Sequence, residues 1–218
     1  MVAEGVFVTG DRTAYCTEDE VLSLLAGYDT SRLGTAEEVR ARIRQLLEPT
    51  RAAVDAEAGR DFLFHADDTI FADGDGTGML SLAAFGARPL QAVHGLTVAG
   101  RLVSSDEYVS YVDEGLVRLR PSGELDGRFP VGVQNMSVSL DWGYLQAPGD
   151  IGLAQAKLLG AQLLAEAAGE RGSVESMKLG DYSVSYDAGG EHAGVIARWL
   201  DDARRVARSY RQLRVVAI

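Results

Sequence analysis

The chain has a single cysteine, Cys16, and three histidines in its 218 residues, and long apolar runs are missing. One thiol rules out an intramolecular disulfide and fits assembly in a reducing compartment. Cys16 reads as a small, semi-buried apolar residue. A catalytic thiol would need a nearby base, and His65, His94 and His192 fall in different elements with no recognisable motif. The longest apolar stretch, residues 158–164, is interrupted by Gly160 and Gln162. It falls far short of the roughly 20 apolar residues of a membrane-spanning helix. The first residues show no basic segment followed by an apolar one, so no signal peptide is expected and the protein should fold where it is made. Positive charge is also scarce: 21 Lys and Arg face 32 Asp and Glu, for a net charge of -11. That balance excludes a protein that wraps nucleic acid, which needs a basic face to displace phosphate counterions. It leaves open an acidic wall that surrounds a duplex without gripping it.

What is present is ordinary globular composition, 46% hydrophobic and 24% charged, enough for one large domain or two small ones. Residues 1–16 show no periodicity and read as an arm or a short extended segment. Two capping boxes follow, Thr17 with Glu20 and Thr35 with Glu38. The second opens a helix that carries Val39, Ile43, Leu46, Leu47 and Val54 on one side. Pro49 is expected to kink this helix or divide it in two, and Gly59 to cap its end.

From Phe62 the period changes to two. Residues 62–65, Leu96 with Val98, and the stretches 108–112, 116–119 and 136–140 read as strands separated by Gly, Asp and Pro turns. Ala99-Gly100 reads as a tight hairpin turn. Asp150 is the expected N-cap of a helix of about 20 residues carrying Ile151, Ala154, Leu158, Ala161 and Ala165 in line. Residues 180–186 read as a short strand. A last helix over 191–209 presents Val195, Ile196, Trp199, Leu200, Ala203 and Val206. The expected fold is therefore α+β: a helical bundle of N- and C-terminal helices with an inserted small antiparallel sheet or sandwich. The expected boundaries are an N-terminal helical region over residues 1–61, a β-rich insert over 62–146, a C-terminal helical region over 147–209 that forms one fold with the first, and a tail over 210–218.

No catalytic constellation stands out, and the expectation is a protein without enzymatic activity or cofactor. Asp73-Gly74-Asp75-Gly76-Thr77-Gly78 opens like a calcium loop, but its twelfth position, where a bidentate Glu belongs, is Ala84. It reads as a turn, with no metal assigned. No Lys follows it as in a P-loop, and no helix as in a dinucleotide fold. Arg198, Arg204, Arg205, Arg208, Arg211 and Arg214 reverse the acidic balance locally. They fit either favourable placement near a helix C-terminus or an interface stripe for an acidic partner. The end of the sequence, Leu213-Arg214-Val215-Val216-Ala217-Ile218, is apolar and strand-like, suited to adding a strand onto a partner or to packing on its own domain.

A series of short signatures runs through the chain in order. They are Tyr15-Cys16-Thr17 before the first helix, Ala58-Gly59-Arg60-Asp61-Phe62, and Phe71-Ala72-Asp73-Gly74 with Leu80 and Leu82. Pro89 follows, then Tyr108 after Ser105-Asp106-Glu107, Gly143-Tyr144 with Pro148 and Asp150-Ile151, and Gly180-Asp181-Tyr182-Ser183-Val184. In this order they resemble the head-to-tail connector (adaptor) proteins of tailed bacteriophages and phage-like gene transfer agents, over residues 15–186. The resemblance implies a virion neck protein, assembled in the host bacterial cytoplasm, that forms a ring of twelve copies below the portal protein. It implies a DNA channel extended towards the next neck, stopper or tail protein without sequence-specific binding, and no membrane contact. It further implies that Leu213 to Ile218 anchor in the portal. Val39, Ile43, Leu47, Ile151, Leu158, Trp199 and Leu200 would then pack subunit to subunit, and Arg204, Arg205, Arg208 and Arg211 would offer a basic interface. Smaller members of that family are nearly all helical, so the β insert is an elaboration. The competing expectation is a metal- or carbohydrate-binding β module with Asp73 and Asp75 at its site.

Overall fold

A computed structural model describes residues 14–169 and 174–211. In chain order the regular elements are α1 (Glu18–Leu25), α2 (Ala36–Ala58), β1 (Phe64–Gly74), β2 (Met79–Ser81), β3 (Leu90–Val98) and β4 (Arg101–Val103). Then come β5 (Tyr108–Tyr111), β6 (Leu116–Leu119), β7 (Gly132–Gly143), α3 (Gly149–Ala168), β8 (Val174–Leu179), β9 (Tyr182–Asp187) and α4 (Ala193–Ser209). The fold is α+β. It divides into two compact units, one of residues 1–61 with 147–218 and one of residues 62–146.

The helical unit is organised around α3, which touches α1, α2, α4, β9 and the short 3-10 turn Ser31–Leu33. Ile151, Leu158, Leu159, Leu163 and Leu164 are all fully buried, although they do not share one face. A helix that is apolar all round is stable only inside a core, and here other elements enclose it. The stripe read from the sequence therefore understates α3. Its small residues let neighbours come close: a Cβ on Gly160 would lie 2.9 Å from the Trp199 ring, and one on Gly152 would lie 2.7 Å from the Tyr15 carbonyl.

Both capping boxes form, each with reciprocal bonds between the Thr side chain, the Glu backbone and the Glu carboxylate. Two expectations need correction. Of the two outcomes expected at Pro49, a kink or a division, the division does not occur: α2 runs unbroken from Ala36 to Ala58. Proline removes the N–H that would reach Gln45 and crowds the carbonyls of that turn. Here Thr50 Oγ1 donates to the Leu46 carbonyl at 2.7 Å, and Gln155 Nε2 donates to the Leu47 carbonyl at 2.6 Å. These bonds brace the turn that contains Pro49, and the helix continues through it. Asp150 is not the N-cap of α3; Pro148 holds that position, and its carbonyl accepts from Ile151 and Gly152 at 3.0 and 3.1 Å. Asp150 lies in the first turn, where a carboxylate favours the helix dipole, and it accepts from Tyr210 Oη at 2.9 and 3.0 Å.

The strand expected at 180–186 is β9, whose antiparallel partner β8 escaped the sequence reading. The two are joined through Gly180, which adopts φ +56 and leaves only 2.9 Å between an added Cβ and Ala56. In the unit of residues 62–146, two antiparallel sheets have the orders β1-β7-β3-β4 and β2-β6-β5. Leu96, Val98, Met136, Val138 and Leu140 from the first share one apolar core with Leu80, Tyr108, Val117 and Leu119 from the second. The sequence alternation of β7 appears directly as Met136, Val138 and Leu140 inward and Ser137, Ser139 and Asp141 towards the other face. The Ala99-Gly100 hairpin forms as expected, with φ 48 and 79 between Val98 and Arg101.

Candidate functional sites

Of the seven helical residues expected to pack between subunits, Val39, Ile43, Ile151, Leu158, Trp199 and Leu200 are buried inside the chain's own helical unit. Leu47 alone keeps partial exposure. The burial of those six is accounted for within one chain. What ties these helices is a polar joint that the sequence did not disclose. Gln155, fully buried, accepts from the backbone N–H groups of Tyr15 and Cys16 at 2.6 and 3.1 Å through Oε1. Its Nε2 donates to the Leu47 carbonyl and, at 3.2 Å, to Thr50 Oγ1. All four hydrogen-bonding positions of the amide are used, as a buried amide requires.

Tyr15 extends the joint by donating its hydroxyl to Asp55 Oδ1 at 2.6 Å, while Arg51 pairs with Asp55 Oδ2 at 2.8 Å. Burial outweighs both partners and raises the Asp55 carboxyl to about 6. Burial also pushes the Cys16 thiol to about 12. A thiol so far from its thiolate is a poor nucleophile, which agrees with the sequence reading of this residue as structural.

Three arginines of α4 have partners inside the unit. Arg204 donates to the Lys178 carbonyl, Arg205 to Asp202 at 2.6 Å and Arg208 to Glu57 at 2.5 Å. Lys157 pairs with the same Asp202 at 2.7 Å. Arg211 is exposed beyond the helix end. The tail expected to dock, Leu213 to Ile218, lies outside the described residues. An open, shallow groove lies between α1 and the start of α3, lined by Leu24, Gly152, Leu153 and Ala156 with Asp19 and Glu20 among its walls. Leu153 is 47% exposed there.

In the β unit the Asp73–Asp75 loop behaves as a turn. Asp75 Oδ1 accepts from the Thr77 N–H and hydroxyl at 2.8 and 2.7 Å, bonds that hold its carboxyl below the usual range. Asp73 Oδ1 accepts from the Gln134 N–H at 2.6 Å. Both carboxylates serve the local backbone.

A different group converges on the outer face of the four-stranded sheet. Asp67 on β1, Asp141 on β7 and His94 on β3 each bring one ligand-capable atom within 4.8 Å of the others. The three strands are adjacent, with β7 in the middle. Bulges lie on both sides of Asp141: β1 slips between His65 and Asp68, and β3 between Val93 and Gly95. Asp67 takes φ 51 at its bulge. Asp141 Oδ1 accepts from the Asp67 N–H at 2.8 Å and lies 2.9 Å from His94 Nε2. The hydrogen bond to Asp141 raises the His94 pKa, and Asp141 is lowered first by the Asp67 N–H and then by His94. Sequence reasoning missed this group because its members are far apart in the chain and bulges, invisible to a period-two pattern, set their direction. Exposed apolar side chains also mark this unit, notably Phe71, Leu102, Val131 and Val133.

No family model and no curated protein matches the chain. Among solved structures it is similar to a chain from the neck of an empty GTA particle computed with C6 symmetry. The identity is 18%, with 96% of this chain and 95% of that one covered and a TM-score of 0.45. It is also similar to a chain from the neck of a native GTA particle computed with C12 symmetry, at 15% identity, 96% and 95% coverage and a TM-score of 0.44.

Proposed function

We propose that the protein is a non-enzymatic structural component of a phage-like particle neck, a head-to-tail connector that assembles as a ring. One observation carries this reading: the ordered signatures that resemble the connector family coincide with the joints of the fold. Tyr15 and Cys16 are the backbone partners of Gln155, Gly59 is the left-handed C-cap of α2, and Gly143 takes φ +91 at the end of β7. Pro148 starts α3, and Gly180 turns β8 into β9. Residues fixed by how elements join are what two proteins of one architecture would share, whereas surface chemistry is free to diverge.

In this reading twelve copies surround the DNA below the portal protein, and the acidic surface lets the duplex pass without sequence-specific contact. Leu213 to Ile218 insert into the portal, and the opposite end of the ring receives the next neck, stopper or tail protein. Because the apolar helical residues are taken up by the chain's own core, copies meet through exposed side chains such as Leu153 and Arg211. The particle assembles in the host bacterial cytoplasm.

The test is reconstitution with the portal protein of the same particle, viewed by negative-stain electron microscopy. The full chain should add a ring of density below the portal, and a variant lacking residues 215–218 should lose that density while keeping its circular dichroism spectrum. Undiminished attachment of the truncated chain would overturn the docking role of the tail. No added density with the full chain would overturn the connector reading itself.

A further inference from the structure

We infer that Asp67, His94 and Asp141 form a binding site for one divalent transition-metal ion, on three adjacent strands of the β unit. The inference is independent of the connector reading. Its first support is the donor set: two carboxylates and one imidazole, a mixture that suits zinc, manganese or cobalt better than the all-oxygen environment preferred by magnesium or calcium. The second is placement. On a regular antiparallel ladder the side chains opposite Asp141 would be set by register alone. The bulge in β1 places two residues, Ala66 and Asp67, between the partners of Trp142 and Leu140, and the bulge in β3 inserts His94 between the partners of Leu140 and Ser139. Two independent departures from the ladder thus bring both outer ligands to the central one.

The third support is spacing. Donors about 2.0–2.2 Å from a tetrahedral ion sit about 3.3 Å from one another. The His94–Asp141 separation is 2.9 Å and no pair in the group is more than 4.8 Å apart, so small side-chain shifts reach that spacing. An ion entering the group takes the place of the proton shared by His94 and Asp141 and draws the Asp67 carboxylate inward. Asp67 and His94 are exposed and free to make that adjustment. With three protein donors, the remaining coordination positions belong to water. Bound there, the ion would cross-link β1, β7 and β3 where the bulges interrupt their ladders.

Titration of the tag-free full chain with zinc chloride by isothermal calorimetry reads this directly, with cobalt(II) absorption reporting the coordination. The expected result is one site per chain, a melting temperature that rises with zinc, and loss of at least tenfold in affinity in both His94→Ala and Asp67→Asn. Neither residue is buried, so both variants should keep the fold, checked by circular dichroism. Asp67→Asn also keeps the backbone N–H that Asp141 accepts. No zinc uptake by the natural chain, or uptake in either variant equal to it, overturns the site.

Discussion

The helical unit and the β unit solve the same problem, holding chain segments together, by different means. The core of the β unit is wholly apolar, and its order comes from register: one residue of slip would turn Met136, Val138 and Leu140 out to solvent. Helices have no such ladder to fix their relative positions. The helical unit instead buries Gln155 and Thr50 among its apolar side chains, and Gln155 joins α3 to α2 and to the chain before α1 through directional bonds. Apolar packing supplies the bulk of stability in both. The polar joint gives the helices the positional definition that strands receive from their backbones.

Cutting a large side chain from each core tests how alike the two are in energy. Leu158→Ala in α3 and Leu140→Ala in β7 should each cost about 2–5 kcal/mol in chemical denaturation. The strand variant should stand higher in that range, because alanine is the best helix former and a poor strand residue. A near-neutral Leu158→Ala would show that α3 is not the centre of its unit.

Gln155→Leu sharpens the contrast. It keeps an apolar volume but removes the acceptor of the Tyr15 and Cys16 backbone N–H groups, at a cost of about 1–3 kcal/mol, while the Leu47 carbonyl keeps its bond from Thr50 Oγ1. Its particular sign is at Cys16, whose alkylation by iodoacetamide should quicken as the joint loosens. Unchanged thiol reactivity would mean that packing alone positions the N-terminal segment.

A third test concerns pH. Asp55 in the same joint has a folded pKa of about 6, above its unfolded value of 3.8. The folded state therefore binds the proton more tightly between these values. Its contribution is fully present below the unfolded pKa and fades as pH rises through the folded one. The natural chain should accordingly lose stability relative to Asp55→Asn between about pH 4 and pH 7. A flat difference across that window would show that Arg51 and Tyr15 compensate for burial of the charge.

Much of the frame was legible because it rests on local chemistry. Both capping boxes, the end of α2 at Gly59 and the Ala99-Gly100 turn depend on residues within a few positions of one another. The errors arose where distant residues supplied the missing group. Pro49 alone predicts a kinked or divided helix, yet α2 is continuous, with Thr50 and the distant Gln155 bracing the carbonyls of that turn. Similarly, α3 looks like a one-sided helix until β9, α1, α2 and α4 are seen to enclose it. The Asp67–His94–Asp141 group was hidden for the same reason, since its geometry depends on the pairing of three strands.

The division of the chain has a consequence in time. The β unit is continuous in sequence, whereas the helical unit needs residues on both sides of it. On a ribosome, α1 and α2 emerge well before the helix that covers them, and Leu47 and Thr50 wait for Gln155 while the whole β segment is made. Closing so long a loop slows the first helical contacts, and prior collapse of the intervening segment shortens the effective tether. The order of synthesis thus favours completion of the β unit before the helices close, with the apolar side of α2 exposed in the interval.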